Sequence, residues 1–255
     1  MKPQLLLILL LALASSKVVS QQLAQSKPQK ENPDFYYAIN RHFQIIDSLH
    51  KGNPDLMEQE ELRFEQLISN NKQYIFNLSD TINFEWLYIA KSADKRLCLV
   101  SWNTQMGGTM IDFATMALFK DDNKLFSKML IDTSNESEIE NTLMHYDTIY
   151  VVSTSQHTFY LAHGFGQGST ALPWQEIKAF EINNNKLINP VIFPDDESNI
   201  YVEFDRHEFD DQAKIPMIKV KENGKKILVP EATEKEGFSG KYQTLILKGE
   251  TYKVQ

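Results

Sequence analysis

The segment from residue 87 to residue 180 contains one pattern of short apolar runs twice, and this pattern restricts the fold more than any other feature. Leu87–Phe119 aligns without a gap with Thr148–Phe180, 61 positions later. Each copy has an apolar run, a polar turn, a second apolar run, a glycine-containing loop and a third apolar run. An Asn-Lys-Leu turn and a fourth apolar run follow each copy. Such runs between turn residues are typical of antiparallel strands, so the pattern predicts an internal duplication of a strand set.

The predicted strands continue beyond both copies and indicate a mainly β fold. A third, less regular set follows residue 200, and its runs are separated by turn residues at Asn223-Gly224 and Lys248-Gly249. Repeated strand sets of this kind favour an antiparallel meander with a propeller-like or stacked-sheet arrangement, with a sandwich or an open barrel as the alternative. The strands are predicted at Glu85–Ala90, Arg96–Trp102, Phe113–Phe119, Lys124–Ile131, Thr148–Val152, Thr158–His163, Gln175–Ile182, Lys186–Phe193, Ile200–Asp205, Ile215–Lys221, Lys225–Val229, Tyr242–Leu247 and Thr251–Val254, with one or two helical turns at Ser137–Leu143.

Residues 32–70, ahead of the strands, have the pattern of two amphipathic helices. Asn-Pro-Asp begins at Asn32 and again at Asn53, and each occurrence combines an N-cap residue with a proline suited to the first helical turn. A helical hairpin is therefore expected, and its apolar faces should pack on a β-rich domain of residues 74–255. Apolar residues at helical spacing are Phe35, Ile39, Phe43, Ile46 and Leu49 in the first helix and Leu56, Met57, Phe64, Leu67 and Ile68 in the second.

The first twenty residues differ in composition from the rest of the chain. Lys2 precedes an uninterrupted apolar run, Leu5–Ala14, and small and polar residues follow as far as Ser20. This is the pattern of a secretory signal peptide, whereas a membrane anchor needs about twenty apolar residues to cross a bilayer. We therefore expect residues 1–20 to be a signal peptide and residues 21–31 a flexible tether. The exported chain should be periplasmic or secreted, and no transmembrane segment should remain after cleavage.

Charge and cysteine content restrict the partners and the redox chemistry of the chain. It has 26 basic and 34 acidic residues, a formal net charge of −8, and its basic residues are scattered along the sequence. Nucleic-acid-binding surfaces need clustered positive charge, so no nucleic acid partner is expected. The single cysteine, Cys98, falls inside a predicted strand, which predicts a buried thiol and no intramolecular disulfide.

Three short motifs in the first copy carry a resemblance to other proteins. They are Ser92-x-Asp94, the run LVSWNT at Leu99–Thr104 and the run GGTM at Gly107–Met110. This combination of motifs resembles that of uncharacterised exported β-rich proteins of Bacteroidota over residues 80–190. The resemblance implies export and a β-rich fold. It carries no known activity, so it assigns no catalytic residue.

A glycine-rich string, HGFGQGST, occupies residues 163–170 of the second copy. Glycines let backbone N–H groups approach an anion, but a phosphate-binding loop also needs a lysine and a following helix. Here Pro173 and a predicted strand follow, and no lysine is in place. The string is therefore interpreted as a wide loop between strands.

Large aromatic and imidazole side chains flank the two glycine-containing loops. Trp102 in the first copy aligns with His163 in the second, and Trp174 follows the second loop. If both loops lie on one rim of the fold, these side chains form an aromatic-lined groove that could stack on sugars or hold a peptide. The alternative is that they are core residues at strand ends. Trp102, His163, Gly166 and Trp174 are therefore the candidate ligand-binding residues.

The third strand set contains a cluster of metal-ligating side-chain types, namely Asp205, His207, Glu208 and Asp210. Carboxylates could hold Ca²⁺, and histidine with carboxylates could hold Zn²⁺. The spacing matches neither an EF-hand loop nor a His-Glu-x-x-His motif. A solvated acidic loop is therefore favoured, and we expect neither a bound metal nor a cofactor.

No catalytic motif is recognisable in the sequence. A Gly-x-Ser-x-Gly nucleophile elbow is absent, and nothing in the order of the histidines and acidic residues along the chain brings them together as a general acid–base pair. The favoured function is a non-catalytic binding or interaction module of the bacterial cell envelope, whose partner is an unknown ligand or an envelope protein. Two alternatives stay open. One is a hydrolase of an envelope glycan or peptide, using His163 with a nearby carboxylate, and the other is a calcium-stabilised structural protein using the cluster at 205–211.

Overall fold

The two Asn-Pro-Asp sequences lie at the starts of the first two helices, as predicted. Helix α1 is Pro33–Leu49, helix α2 is Pro54–Asn70, and a short helix α3, Lys72–Asn77, follows directly. Leu56 of the predicted apolar stripe is 43% exposed, because its neighbour Met57 takes the buried side and adjacent helical positions point in different directions. The computed structural model describes residues 32–49, 53–78, 84–107, 111–130, 144–209, 215–233 and 237–255.

The strands of the described residues form three antiparallel sheets that follow one another along the chain. Sheet 1 contains β1 (Leu87–Lys91), β2 (Leu97–Asn103), β3 (Phe113–Asp121) and β4 (Lys124–Met129). Sheet 2 contains β5 (Met144–Ser153), β6 (Thr158–Gln167), β7 (Pro173–Asn183), β8 (Lys186–Ile188) and β9 (Asn199–Glu203). Sheet 3 contains β10 (Lys219–Lys221), β11 (Lys226–Ala232), β12 (Phe238–Lys248) and β13 (Thr251–Val254). Neighbouring strands pair in chain order within each sheet, and β9 pairs with the first half of β7.

Sheet 1 lies between the helices and sheet 2. From one face of β2, Val100 and Trp102 belong to an apolar cluster with Phe64 of α2. From the other face, Leu99 belongs to a cluster with Tyr160 of sheet 2. Both faces of β2 are therefore covered, and all seven of its residues, including Cys98, are buried.

Sheet 2 packs its second face on sheet 3. Leu161 and Ile177 of sheet 2 share an apolar cluster with Ile227 and Leu245 of sheet 3. The first strands of sheets 1 and 2 are neighbours and are joined by a parallel bridge between residues 92 and 149. Successive meanders thus pack face to face in chain order, which is the propeller-like, stacked-sheet arrangement that the sequence predicts.

The predicted strands within the described residues are all present, with differences at their ends. Strand β8 is shorter than predicted, since it ends at Ile188 and not at Phe193, whereas β6 is longer. This strand was expected to end at His163, but it continues to Gln167, so Gly164 and Gly166 are strand residues and not loop residues. A Cβ atom at position 164 would overlap the Cε of Met144 in the neighbouring strand. The glycine therefore permits a close approach of β5.

Both predicted copies form antiparallel meanders with the same strand order. That Leu87–Phe119 and Thr148–Phe180 superpose as structural copies stays a prediction. The predicted helical turns at Ser137–Leu143, the signal peptide and the tether lie outside the described residues. None of the helices in the described ranges is both long enough and apolar enough to cross a membrane.

Candidate functional site

Trp102 lies in the core and not in a groove. Its side chain is fully buried, and its indole N–H donates to Oε2 of Glu61 at 2.7 Å. The ring of Phe64 packs edge-on against the indole, with ring centroids 5.3 Å apart. The structure therefore does not bring Trp102 into a shared groove with His163 and Trp174, because the helical hairpin covers the face of sheet 1 from which the indole projects.

The other candidate ligand-binding residues lie in sheet 2 and point to different faces of it. Gly166 pairs with Trp174 in the β6–β7 ladder, and the ring of Trp174 lies 6.1 Å from that of Tyr201. His163, three positions before Gly166 in the same strand, faces the opposite side. Trp174 and His163 are 7% and 6% exposed. They do not form one concave surface, and ligand binding by these residues stays a prediction.

A bulge in β5 brings a carboxylate to His163. Asp147 is the extra residue of this bulge, next to the pair that Thr148 makes with His163. Burial lowers the pKa of His163, and the opposing effects of the Asp147 carboxylate and of a hydrogen bond with Gln175 are smaller. Partial burial raises the pKa of Asp147, and the nearby imidazole acts in the opposite direction. The two groups therefore form an interacting pair, which the sequence order does not reveal.

The position of the Asp147–His163 pair restricts the reactions in which the pair can take part. The Nε2 atom of His163 is buried without a hydrogen-bond partner among the described residues. An imidazole with a carboxylate neighbour is suited to general base catalysis when a substrate can reach its second nitrogen. His163 lines neither of the two larger clefts of the described chain. The hydrolase alternative thus gains an interacting acid–base pair that lies outside both of these clefts, and it stays a prediction.

Another buried carboxyl group lies on the opposite face of sheet 2. Glu176 is 2% exposed, and its Oε1 accepts a hydrogen bond from Nδ2 of Asn199 at 2.8 Å. Burial raises the pKa of Glu176, and the opposing effects of Lys178 and Asn199 are smaller. The group is enclosed by packed strands, so we assign it a structural role.

The predicted metal-ligand cluster is engaged in a local turn. Asp205 precedes a short 3₁₀ turn, and its Oδ1 accepts from the backbone N–H of His207 at 2.8 Å and lies 2.9 Å from Nδ1 of the same residue. Glu208 is exposed in this turn, and Asp210 lies outside the described residues. Within the part of the chain that the structure describes, no three histidine, cysteine or acidic side chains are placed to hold a metal ion.

The larger of the two clefts has a volume of about 630 Å³ and opens between α1 and the edge of sheet 1. We call it the helix–sheet cleft and define it by three lining segments, which are Ile39, Asn40, Phe43, Gln44 and Asp47 of α1, Phe84, Glu85 and Trp86 before β1, and Asn103, Gln105, Gly107 and Ile111 from the end of β2 onward. Small-molecule sites in proteins commonly enclose about 300 to 1,000 Å³. The helix–sheet cleft is therefore large enough for a ligand of several rings.

The floor and one wall of the helix–sheet cleft are apolar. Ile39 and Phe43 of α1 are buried at its base, and Phe84 is half-buried beside them. The ring of Tyr36 stacks on that of Phe84 with centroids 5.3 Å apart, which holds the phenyl ring in place. Trp86 lines the cleft and is 38% exposed, so an indole surface is available to a ligand.

The lining of the cleft also includes polar side chains. Asn40, Gln44 and Asp47 follow one another along α1 at spacings of four and three, so they lie on one face of the helix. Asn103 and Gln105 line the cleft from the end of β2. Carboxamide side chains from two separate elements thus face the same space.

Backbone groups next to the cleft are largely paired with one another. The N–H of Asn103 donates to the carbonyl of Trp86 at 3.1 Å, and the N–H of Thr104 donates to the carbonyl of Asp112 at 2.9 Å. The N–H of Gln105 donates to Oδ1 of Asn103 at 2.8 Å. These three backbone N–H groups are therefore not free to bind a ligand, and Asn103 can offer its NH₂ group.

The second cleft, of about 500 Å³, lies where sheets 1 and 2 meet, and its polar groups are already engaged. Arg96 contacts Asp121 at 3.2 Å, and His157 contacts Glu181 at 2.8 Å. The hydroxyl of Tyr160 donates to Asp94 at 2.8 Å across the two sheets. The first two contacts lie within sheets 1 and 2, and the third joins the two sheets, so this cleft is better explained as structure than as a binding site.

Comparisons with protein-family models, with curated proteins and with solved structures found no match for this chain. The resemblance to exported proteins of Bacteroidota accordingly stays a prediction. The function of the chain is therefore inferred from the geometry of the helix–sheet cleft.

Sequence reasoning missed the helix–sheet cleft because its walls are far apart in the chain. One signal was present on α1, where Asn40, Gln44 and Asp47 repeat at helical spacing beside the apolar stripe. A second signal was Trp86, a large aromatic residue directly before a predicted strand. Neither signal indicates that these segments meet, since their contact depends on how the hairpin packs on sheet 1.

Proposed function

We propose that this chain is a non-catalytic ligand-binding module of the bacterial cell envelope and that the helix–sheet cleft holds its ligand. The observation that carries the proposal is the exposed indole of Trp86 in a cleft that both apolar and carboxamide side chains line. Apolar surface with a few convergent polar groups is the usual composition of a ligand site. A rigid aromatic side chain also has a large contact area and little rotamer entropy to lose on binding.

Binding without catalysis agrees with the state of the two acidic side chains in the cleft. Glycosidases require a carboxyl group held in an apolar pocket as the acid catalyst. Asp47 and Glu85 are both exposed, and neither is enclosed by apolar side chains. Such carboxylates are suited to hydrogen bonding and to charge selection of a ligand.

The envelope location in the proposal depends on the N-terminal sequence. The apolar run Leu5–Ala14 between Lys2 and Ser20 has the composition of a secretory signal. The chain is acidic and its basic residues are scattered. This suits an extracytoplasmic ligand better than a nucleic acid, because nucleic acids bind to clustered positive charge.

The proposal predicts that replacing Trp86 with alanine weakens binding without unfolding the protein. Wild type and Trp86→Ala would be compared on arrays of glycans and peptides, and each bound member would be titrated. Loss of a central aromatic contact should weaken binding by about 2 kcal/mol, roughly thirtyfold. Because Trp86 is partly exposed, the midpoint of thermal unfolding should change little.

Tyr201→Ala is the matched control, since Tyr201 is an exposed aromatic residue of sheet 2 beside Trp174 and outside the helix–sheet cleft. It should bind every array member as the wild type does. Binding that survives Trp86→Ala but is lost in Tyr201→Ala would move the site to the surface around Trp174 and refute the assignment to the cleft.

A further inference from the structure

We infer that the ligand of the helix–sheet cleft is a saccharide without acidic groups, either neutral or amine-bearing. The inference rests on the proposed function and adds the chemical class of the ligand. It depends on three properties of the cleft, which are the aromatic wall, the carboxamide groups and the sign of the charge.

The aromatic wall matches the apolar face of a sugar ring. Trp86 offers an exposed indole, and Phe84 lies two residues before it in the same lining segment. The stacked ring of Tyr36 supports Phe84 from behind. A pyranose presents a patch of C–H groups on one face, and such patches pack against flat aromatic surfaces that carry partial negative charge.

The carboxamides match the hydroxyl groups of a sugar. Each asparagine or glutamine side chain has both donors and an acceptor, as each hydroxyl does, so either orientation of a hydroxyl can be satisfied. Asn40 and Gln44 approach from α1, while Asn103 and Gln105 approach from the end of β2. A ring that stacks on the aromatic wall can therefore be held along its edge from both sides.

The charge of the cleft selects against acidic ligands. Asp47 and Glu85 are its charged lining residues, and the lining in the described residues includes no lysine, arginine or histidine. Asp47 also lies in the last turn of α1, which has no basic side chain, and the C-terminal end of a helix carries partial negative charge. A uronate, sulfate or phosphate group would be repelled, whereas a protonated amine would be attracted.

A peptide is the other class of ligand that such chemistry could accept, but the backbone contacts disfavour it. Extended peptides are commonly captured by backbone hydrogen bonds to a free strand edge. At this cleft the N–H of Asn103 and the carbonyl of Trp86 bond to each other, as do the N–H of Thr104 and the carbonyl of Asp112. These two pairs are not free to bond an extended peptide, whereas the carboxamide side chains of the lining suit hydroxyl recognition.

The test measures the affinity of the full chain for four probes of similar length. They are cellopentaose, which is neutral, the pentamer of glucosamine, which is cationic, the matched oligomer of glucuronate, which is anionic, and a lysine-rich pentapeptide. Titration calorimetry should show binding of the first two and at least about tenfold weaker binding of the uronate. Trp86→Ala should weaken the binding of both about thirtyfold, as it removes the exposed indole of the aromatic wall.

The double substitution Asp47→Asn with Glu85→Gln tests the charge argument separately. It keeps side-chain size and hydrogen bonding but removes both charges, so the difference in affinity between uronate and cellopentaose should shrink by about tenfold. Tighter binding of the uronate than of cellopentaose to the wild type, or no binding of either of the first two probes, would overturn the inference. Binding of the pentapeptide alone, lost in Trp86→Ala, would overturn the saccharide class but leave the cleft as the binding site.

Discussion

The imidazole of His145 shows how packing changes the chemistry of a single residue. Its ring lies on that of Tyr88 with centroids 3.8 Å apart, and its Nδ1 is buried without a hydrogen-bond partner among the described residues. Burial lowers the pKa of His145 to about 4, from an ordinary value of 6.5. The folded protein therefore holds this ring neutral under conditions in which the unfolded chain binds a proton.

This shift predicts an acid-sensitive contribution to stability. Because the folded pKa is the lower one, the unfolded chain binds more protons between pH 6.5 and pH 4. The contribution is complete above pH 6.5 and is lost as the pH falls through that window. His145→Phe keeps a stacking ring but cannot titrate, so the wild type should lose about 2–3 kcal/mol more than the variant between pH 7.5 and pH 4. Urea unfolding of both proteins at the two pH values measures the difference, and equal losses would contradict the assignment. Burial also lowers the pKa of His163. His163 is present in both proteins, so its contribution cancels in the difference between them.

The sequence identifies which residues are aromatic or ionisable but not which of them will be exposed. Trp102 and Trp86 lie close together in sequence, yet the first is fully buried and the second is 38% exposed. The difference arises because α2 covers the position of Trp102, while Trp86 lies before β1 at the mouth of a cleft. Such contacts between distant segments are not encoded in local spacing, and so the sequence favoured the buried Trp102 as a candidate over the exposed Trp86.

At the scale of elements, the contact between α2 and sheet 1 determines the shape of the cleft. Glu61 of α2 accepts the indole N–H of Trp102 at 2.7 Å, and its other oxygen lies 3.4 Å from Nε2 of His42 in α1. Glu60 lies 3.4 Å from the other ring nitrogen of His42. All four side chains are buried, so this polar cluster fixes the hairpin on the sheet.

Replacing Glu61 with alanine should weaken this attachment. The indole N–H would be left without an acceptor in a buried interface, which costs about 1–3 kcal/mol of unfolding free energy. Glu58→Ala, an exposed position of the same helix, is the control and should change the free energy by less than about 0.5 kcal/mol. Denaturant unfolding gives both values, and hydrogen exchange in α1 and α2 should accelerate only in Glu61→Ala. An effect no larger than that of the control would show that the cluster does not hold the hairpin.

Local periodicity was enough to locate most elements. The proline-containing starts of α1 and α2 and the hairpin turns of the strands follow from turn and cap chemistry that acts over a few residues. The end of β6 was missed because glycines at 164 and 166 are typical of loops, whereas here the first makes room for β5. A glycine needed for close strand approach cannot be told from a loop glycine until the neighbouring strand is known.

At the scale of the whole molecule, the sequence predicts that the meanders stack, but it does not predict which elements cover each sheet. Each sheet has apolar residues on its inner faces, so a stack follows from the need to bury them. The order of the layers, with the helices on sheet 1 and sheet 3 on sheet 2, depends on which sheet face each apolar stripe packs against. The helix–sheet cleft results from that order of layers. The sequence alone therefore does not show that its three lining segments lie together.

The shared apolar clusters predict that residues 34–255 unfold as one cooperative unit. Sheet 2 contributes to the cluster with sheet 1 and to the cluster with sheet 3, so loss of either neighbour exposes part of its core. Leu245→Ala in β12 should lower the free energy of unfolding by about 2–5 kcal/mol, as for other buried leucines. Hydrogen exchange in β2, which belongs to sheet 1 and is not in contact with position 245 in these clusters, should accelerate by the factor that corresponds to this loss. Gln243→Ala, an exposed position of the same strand, should leave exchange in β2 unchanged. If exchange accelerates in sheet 3 but not in β2, sheet 3 opens independently, and the three sheets do not form one cooperative unit.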